Sequence, residues 1–252
     1  MKEWIVGRNP VYETLVARRR QPFRLLLAEG THEKGRLAEI LKLARSKKLP
    51  VEIVQRNHLD RLGSSHQGIA LEASHYPYVH LVDILDLAGK RGEAAFILIL
   101  DTLQDPQNLG TLFRTAEAMG VHGVLLPLRH TATVTPAVVS ASSGASEHLL
   151  IAQSNLAQSI ATLKENGVWV IGLEGGPESQ DAGRVRLDSP LALVVGNEGE
   201  GLRQLVRDSC DLLMSLPMQG QVASLNAAVA GSIALYLASR ARKTSVKPAG
   251  EG

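Results

Sequence analysis

The sequence predicts an α/β protein built as two units in tandem, and three observations carry that reading. From residue 94 onward, runs that are apolar at nearly every position alternate with helical segments, the signature of a sheet covered on both faces. Before residue 75, shorter β-rich runs alternate with helical patterns and read as a small α/β domain. Between the two, periodicity breaks at Ala73-Ser74-His75-Tyr76-Pro77-Tyr78. The amphipathic stretch Leu81 to Ala88 and Gly89-Lys90-Arg91-Gly92 follow, so residues 76–92 read as a linker.

In the first unit the expected strands are Arg24 to Ala28, Val51 to Val54 and Ile69 to Glu72. The expected helices cover Asn9 to Ala17, Lys34 to Lys47 and Asn57 to Leu62. In the second the strands are Ala95 to Leu100, Gly123 to Leu126, Leu149 to Ala152, Val168 to Leu173, Leu191 to Val195 and Leu212 to Leu216. Thr135-Pro136 offers an N-cap with proline at the first helical position. Ser154 or Asn155 caps the next helix, and Asn166-Gly167 stops it. The small-residue segment Ala227 to Ala238 suits close helix packing, in the core or across a subunit interface.

With 252 residues, 44% hydrophobic and 21% charged, the chain can bury one large core or two modest ones, which excludes a disordered tail protein and a stapled miniprotein. No apolar run approaches the roughly 20 residues that cross a bilayer, and Met1-Lys2-Glu3-Trp4 lacks an apolar signal region, so no membrane partner and a cytoplasmic location are expected. A single cysteine, Cys210, excludes an internal disulfide and a thiolate zinc cluster, and reads as a small buried hydrophobe. The eight histidines lack metal-type pairing, so no metal is expected and His66 reads as structural or partner-facing rather than as a metal ligand.

The net charge of +2 conceals an asymmetry: residues 1–75 hold 14 basic and 8 acidic side chains, and the remainder is net negative. A basic unit of this kind suits a polyphosphate backbone, with a solvated surface as the alternative. The candidate phosphate contacts are Arg18-Arg19-Arg20, Arg45 with Lys47-Lys48, and Arg240, Arg242, Lys243 and Lys247.

Three polar turns follow buried strands, where ligands gather in parallel sheets. The first, Asp101-Thr102-Leu103-Gln104-Asp105-Pro106-Gln107-Asn108-Leu109-Gly110, leads into a helix carrying Arg114; Asn108 offers that helix a cap. The second is Gly196-Asn197-Glu198-Gly199-Glu200-Gly201. Its glycines let main chain approach a ligand, yet the spacing is neither the dinucleotide fingerprint nor a Walker A loop. Its carboxylates oppose a pyrophosphate and suit ribose hydroxyls, amines or a sulfonium. The third is Leu216-Pro217-Met218-Gln219-Gly220-Gln221-Val222-Ala223-Ser224-Leu225-Asn226, in which capping by Ser224 or Asn226 explains one of the two. A nucleotide-dependent oxidoreductase would fit the sheet but needs the missing fingerprint. A noncatalytic RNA-binding protein would fit the basic unit but need not keep this polar set.

These three motifs, in this order, resemble those of the SpoU family of RNA ribose 2′-O-methyltransferases within the knotted SPOUT class. The matching residues are Asn108-Leu109-Gly110 with Arg114, Gly196-Asn197-Glu198-Gly199-Glu200-Gly201-Leu202, and Leu216-Pro217-Met218 with Ser224-Leu225-Asn226. Gly7-Arg8-Asn9-Pro10-Val11 and His66-Gln67-Gly68-Ile69 resemble the substrate-binding domain of the bacterial 23S rRNA guanosine 2′-O-methyltransferases, which is similar to ribosomal protein L30e. The resemblance implies an RNA substrate-binding domain over 1–75, a trefoil-knotted methyltransferase domain over 93–243 and a flexible tail over 244–252. General topology rules alone favour an open doubly wound sheet. It also implies methyl transfer from S-adenosyl-L-methionine to a ribose 2′-hydroxyl of RNA, a guanosine of 23S rRNA, by a homodimer whose active site draws on both chains. The same chemistry on tRNA or another rRNA site, or a noncatalytic RNA-binding protein, is the alternative.

Carried over residue by residue, the resemblance implies cofactor contacts at Thr102, Gly196, Leu216, Met218, Ser224 and Leu225. The implied catalytic set is Arg114, Asn108, Glu198, Ser224 and Asn226. In that scheme Glu198 bonds Asn108 and Ser224, Asn226 holds the third motif against the first, and Arg114 acts on substrate held at the partner's cofactor. A guanidinium is a poor base at neutral pH. Arg114 is therefore read as an anchor for phosphate or developing alkoxide, with Glu198 the rival base.

Overall fold

The computed structural model describes residues 2–129, 131–197, 199–222 and 224–245. The chain opens with β1 (Lys2–Val6), α1 (Arg8–Ala17), β2 (Pro22–Ala28), α2 (Arg36–Ser46), β3 (Val51–Val54), α3 (Arg56–Asp60) and β4 (Ile69–Ser74). These strands form a sheet of order β1-β4-β2-β3, in which β4 runs against both β1 and β2, and β2 is parallel to β3. In this unit the unforeseen strand is β1. Its five residues carry little periodic signal, and its partner β4 lies some seventy residues along the chain, with Lys2 opposite Ser74.

There follow α4 (Leu81–Arg91), β5 (Phe96–Leu100), α5 (Pro106–Ala118), β6 (Gly123–Pro127), α6 (Pro136–Ala141), β7 (Leu150–Ser154), α7 (Leu156–Glu165), β8 (Trp169–Leu173), β9 (Gln180–Asp181), β10 (Leu191–Val195), α8 (Gln204–Ser209), β11 (Leu212–Ser215) and α9 (Ala227–Ser245). All seven strands pair in parallel, in the order β7-β6-β5-β10-β8-β11-β9. Every residue of β5, β6 and β10 is buried, which is why those runs are apolar throughout rather than alternating. The order reverses beside β5: the chain runs outward through β6 and β7, crosses to β8, and then inserts β10 between β5 and β8. The carboxyl ends of β5, β10, β8 and β11 therefore stand side by side at a topological switch point.

The fold divides into two compact units, Met1–Pro77 with Thr133–His148, and Tyr78–Ala132 with Leu149–Gly252. Two expectations change as a result. Residues 76–92 are not a free linker. Ile84 of α4 is fully buried against the cluster holding Ile97, Ile99 and Leu125, and Val79 pairs in parallel with Ala152. Residues 133–148 lie between β6 and β7 in sequence but fold with the first unit.

The buried side chain of Arg20 explains much of that attachment: its Nε donates to Glu147 Oε2 at 2.8 Å, and its Nη1 donates to Ser74 O at 3.0 Å and to Glu3. Arg19 donates to the Tyr76 hydroxyl and to Pro77 O. Arg20 thus belongs to the interior of this unit rather than to a phosphate-binding surface, and half-buried Arg19 is engaged with Tyr76 and Pro77. A fragment starting at residue 93 would carry Thr133–His148 without the unit it folds with.

At the other end of the chain, α9 runs through Thr244 and Ser245, the first two residues of the expected tail. Residues 246–252, including Lys247, lie outside the described residues. Arg242 is also structural: it donates to Ser189 O at 2.7 Å and to Ala94 O, with its guanidinium 5.0 Å from the Phe96 ring centroid, and burial lowers its pKa. Cys210 is half-buried with Sγ 3.3 Å from Val206 O, and burial pushes its thiol up to about 12, which keeps it protonated and unreactive. Gly231 lets α9 pack closely, since a Cβ there would stand 2.7 Å from Leu112 of α5 and 3.1 Å from Val195 of β10. Among the described residues no helix is long and apolar enough to cross a membrane.

One buried histidine gives this second unit a pH signature. His122 Nδ1 accepts from Phe96 N–H at 3.0 Å, so Nε2 carries the proton toward Glu93 at 2.9 Å. Burial holds the imidazole below its ordinary 6.5 despite Glu93. A histidine with a depressed folded value contributes stability in full above 6.5 and loses it as pH falls through that depressed value. Denaturant unfolding at about pH 8 and about pH 5 is expected to show stability falling with acid, and falling less in His122→Gln.

Candidate active site

A cavity of about 450 Å³ opens at the carboxyl ends of β8, β10 and β11. Gly196, Leu216, Met218, Ser224 and Leu225 line it together with Glu174, Gly175 and Asn197. The second and third motifs thus meet in one concavity, although nineteen residues of chain, including α8 and β11, separate Gly196 from Leu216.

The strand ends explain the shape. Asp101 follows the fully buried β5 and is itself buried, so its charge needs a partner. Arg203 supplies one, its main-chain N–H donating to Oδ2 at 2.9 Å and its Nε to Oδ1 at 2.7 Å. This clamp pins the far end of the 196–203 loop to the first motif. Asn197 ties down the near end, since its Nδ2 donates to Thr102 O at 3.2 Å and its Oδ1 accepts from Gly199 N–H at 3.0 Å. Between those points the loop folds back on itself through reciprocal main-chain bonds joining Asn197 and Gly201, both 3.0 Å. A Cβ at Gly196 would lie 2.4 Å from the Gly201 carbonyl, closer than any side chain allows, so only glycine fits.

Asp105 caps α5, accepting from Gln107 N–H at 3.0 Å, with Pro106 at the first helical position. The cap expected at Asn108 therefore stands elsewhere, because Asn108 is already inside the helix. Its Oδ1 instead accepts from Asn226 Nδ2 at 3.2 Å, joining the first motif to the third. Asn226 does double work, since its own Oδ1 accepts from Ala228 and Val229 N–H at 2.9 and 3.2 Å and so caps α9.

Arg114 is exposed on α5, two turns into the helix, and is not among the residues lining the cavity. Thr102 also stands outside that lining. Its φ of 60° is unusual for a β-branched residue and directs its carbonyl to Asn197. Glu198 lies outside the described residues.

The sequence reading missed Arg203 and Glu174, and it quoted Asn197 in the second motif without giving it a role. A signal existed for the first, because an aspartate directly after an all-apolar strand calls for a buried partner. None existed for Glu174. It follows β8, donates its main-chain N–H to Met214 O at 3.0 Å, and accepts from Arg207 Nε at 3.0 Å, while Arg207 also pairs with Glu178. Arg207 has its pKa raised by the hydrogen bonds to Glu178 and Glu174. Among the described lining residues Glu174 is the one charged side chain, and its carboxylate suits a ligand that brings hydroxyl donors or a positive charge.

Known proteins match both parts of the chain. The SpoU rRNA Methylase family matches residues 95–236, and a domain described as RNA 2′-O ribose methyltransferase substrate binding matches residues 4–79. A Bacillus subtilis (strain 168) protein named putative TrmH family tRNA/rRNA methyltransferase YacO is 39% identical over 251 residues, covering 99% of this chain and 98% of the relative. A relative of the same description from Staphylococcus saprophyticus is 40% identical over 94% of this chain and 95% of its own length. Among solved structures, the SpoU methyltransferase AviRb of Streptomyces viridochromogenes, in complex with the cofactor AdoMet, superposes with a TM-score of 0.80 at 22% identity over 96% of this chain and 91% of its own. The AdoMet-bound rRNA methyltransferase of Sinorhizobium meliloti gives 0.78 at 23% identity over 95% and 87%. The cleft where the second and third motifs meet, the Asn108–Asn226 bond and a substrate-binding domain ahead of the sheet thus have a common source: the chain belongs to the SpoU family of RNA methyltransferases.

Proposed function

We propose that this methyltransferase uses S-adenosylmethionine to methylate a ribose 2′-hydroxyl of RNA, and that its target is a guanosine of 23S rRNA. The observation that carries the reading is the single cavity lined by residues of the second and third motifs, with the first motif bonded to both. Support for the ribose comes from the substrate-binding match at residues 4–79, and support for the cofactor from the AdoMet named with two of the solved relatives.

The residues present fit that cofactor. About 450 Å³ accommodates a nucleoside with an amino-acid arm; Leu216, Met218 and Leu225 offer an apolar wall to a flat base, and Glu174 offers a carboxylate to vicinal hydroxyls or a cation. Bound there, S-adenosylmethionine supplies a methyl group made electrophilic by its sulfonium. Gly196 and Ser224 bring main chain and a hydroxyl to the same wall. Asn108 and Asn226 hold the third motif in place. Arg114, outside the cavity, holds RNA phosphate or the developing alkoxide. Glu198 and Thr102 belong to the same proposal, Glu198 as pocket organiser and rival base, Thr102 as a shaper of the loop.

The trefoil knot and the homodimer are part of this reading. The insertion of β10 between β5 and β8, and the return of the chain after β11 to α9 against α5, support the knot. Val229, Ile233 and Tyr236, spaced four and three residues apart, form an exposed stripe on α9 that a second copy would cover. The first unit then serves as the RNA-binding domain, and the protein works in the cytoplasm where rRNA is assembled.

Nuclease digestion and mass spectrometry of rRNA and tRNA, from cells with and without the gene, test the target. The expected loss is one 2′-O-methylguanosine of 23S rRNA. A missing methyl on a base would reject ribose chemistry, and a missing tRNA mark would reject the rRNA target.

A further inference from the structure

The first unit has a cavity of its own, about 630 Å³, assembled from four separate segments: Arg8, Glu29 to Lys34, Arg56, and Gln67-Gly68. The sheet topology brings them together. Strands β1, β2 and β3 run in one direction and β4 runs against them, so the carboxyl ends of the first three and the amino end of β4 share one end of the sheet.

The groove is basic and it is built. Its lining sets Arg8, Lys34 and Arg56 against the single carboxylate of Glu29. Other cations of the unit are engaged internally: Arg20 with Glu147, Arg24 with Glu52 and Glu72, Arg36 with Glu39. Among the described residues Lys34 and Arg56 are exposed and in no ion pair. Arg8 is oriented by a chain of contacts. Buried His66 accepts from Gly68 N–H on Nδ1 at 2.9 Å, leaving Nε2 to donate to Asp60 at 2.9 Å, and so locks the turn. In that turn Gln67 has φ 51°; its Oε1 accepts from Arg8 N–H at 3.0 Å and its main-chain oxygen from Arg8 Nε at 3.3 Å. The described lining has no Phe, Tyr or Trp ring, its one aromatic group being the exposed imidazole of His32, while Gly30 and Gly68 place bare main chain at the wall.

We propose that this groove holds the phosphodiester backbone of the RNA substrate, with successive phosphates against Arg8, Lys34 and Arg56. The inference rests on the proposed RNA-modifying function and assigns it a contact surface distinct from the cofactor cavity. Contacts of this kind position an RNA without reading its bases. His66 is a positioning residue, acting through Gln67 on Arg8.

The test uses the full chain and filter binding to an unmodified 23S rRNA transcript and to bulk tRNA over a salt series. The variant K34E/R56E reverses two groove charges. K42E/R61E makes the same charge change on exposed cations of the same unit outside the groove. The groove variant is expected to bind at least about tenfold more weakly at low salt. Its log–log salt slope should flatten by somewhat more than one, at about 0.7 for each single-strand phosphate that the protein no longer neutralises. S-adenosylmethionine affinity and the unfolding midpoint should stay at wild-type values, and K42E/R61E within about twofold of wild type in RNA affinity. Wild-type affinity and slope in K34E/R56E would overturn the proposal. So would an equal loss in both variants, which would reduce the effect to diffuse charge, and so would a wild-type chain that binds neither RNA. Groove-dependent binding without methyl transfer would uphold the groove and count against the proposed reaction.

Discussion

Arg114→Ala is expected to abolish most methyl transfer, by about 10²–10³ in kcat, while leaving S-adenosylmethionine affinity within about twofold of wild type. The geometry separates the two effects. Arg114 is exposed on α5 and does not line the cavity that Gly196, Leu216, Met218, Ser224 and Leu225 share. Its removal should therefore cost stabilisation of phosphate or developing negative charge on the RNA and nothing in the cofactor pocket. Arg114→Lys keeps the charge but not the planar fork, so it should recover part of the rate if the residue is an anchor. Single-turnover methylation at saturating RNA, alongside calorimetric titration of the cofactor, decides the matter. Near-normal turnover would sink the catalytic assignment, and a parallel loss of cofactor affinity would make Arg114 architectural.

Arg20→Met should produce the largest loss of stability. Arg20 and Glu147 have fully buried side chains, and removing one partner leaves the other as an uncompensated interior charge, a cost of about 3–5 kcal/mol. Burial already pushes the Glu147 carboxyl up against the opposing pull of Arg20. Without that guanidinium it should rise further. A carboxyl whose folded value is raised favours the folded state below its unfolded value, and this advantage disappears as pH rises through the folded value. The variant should therefore be most destabilised in alkali and recover toward acid. The double replacement Arg20→Met with Glu147→Leu should regain much of the loss, because two well-packed apolar groups need no partner. Equal stability of Arg20→Met and wild type at about pH 8 in denaturant titrations would show that the pair does not tie residues 133–148 to the first unit.

Much of the architecture was legible before any tertiary information. Strands β3 and β10 fall where their apolar runs placed them, and the buried β5, β6 and β8 fall within a residue or so. Asn155 caps α7 and Gly167, at φ 72°, follows its end, because these are local hydrogen-bond and backbone preferences. The sites were legible as motifs but not as geometry. Asp105 displaced Asn108 as the cap of α5, since the proline after Asp105 starts the helix earlier than the turn composition suggested. Asn226 proved to be both the α9 cap and the link to Asn108, a pairing across 118 residues that local chemistry cannot rank. The Arg18-Arg19-Arg20 run looked like a surface because charge density carries no information about direction. Arg20 in fact points inward to a glutamate 127 residues away.

The sequence by itself determined the α/β class, the places where polar turns follow buried strands, and the family, because each is written in contiguous residues whose spacing or identity is the signal. Only the tertiary structure decided that β1 pairs with β4, that β10 inserts between β5 and β8, that α4 belongs to the second unit and that Thr133–His148 belongs to the first. The physical reason is common to all four. Strand pairing and buried ion pairs gain their free energy from groups brought together after long loops close, and an individual strand or charge is compatible with many partners until burial selects one.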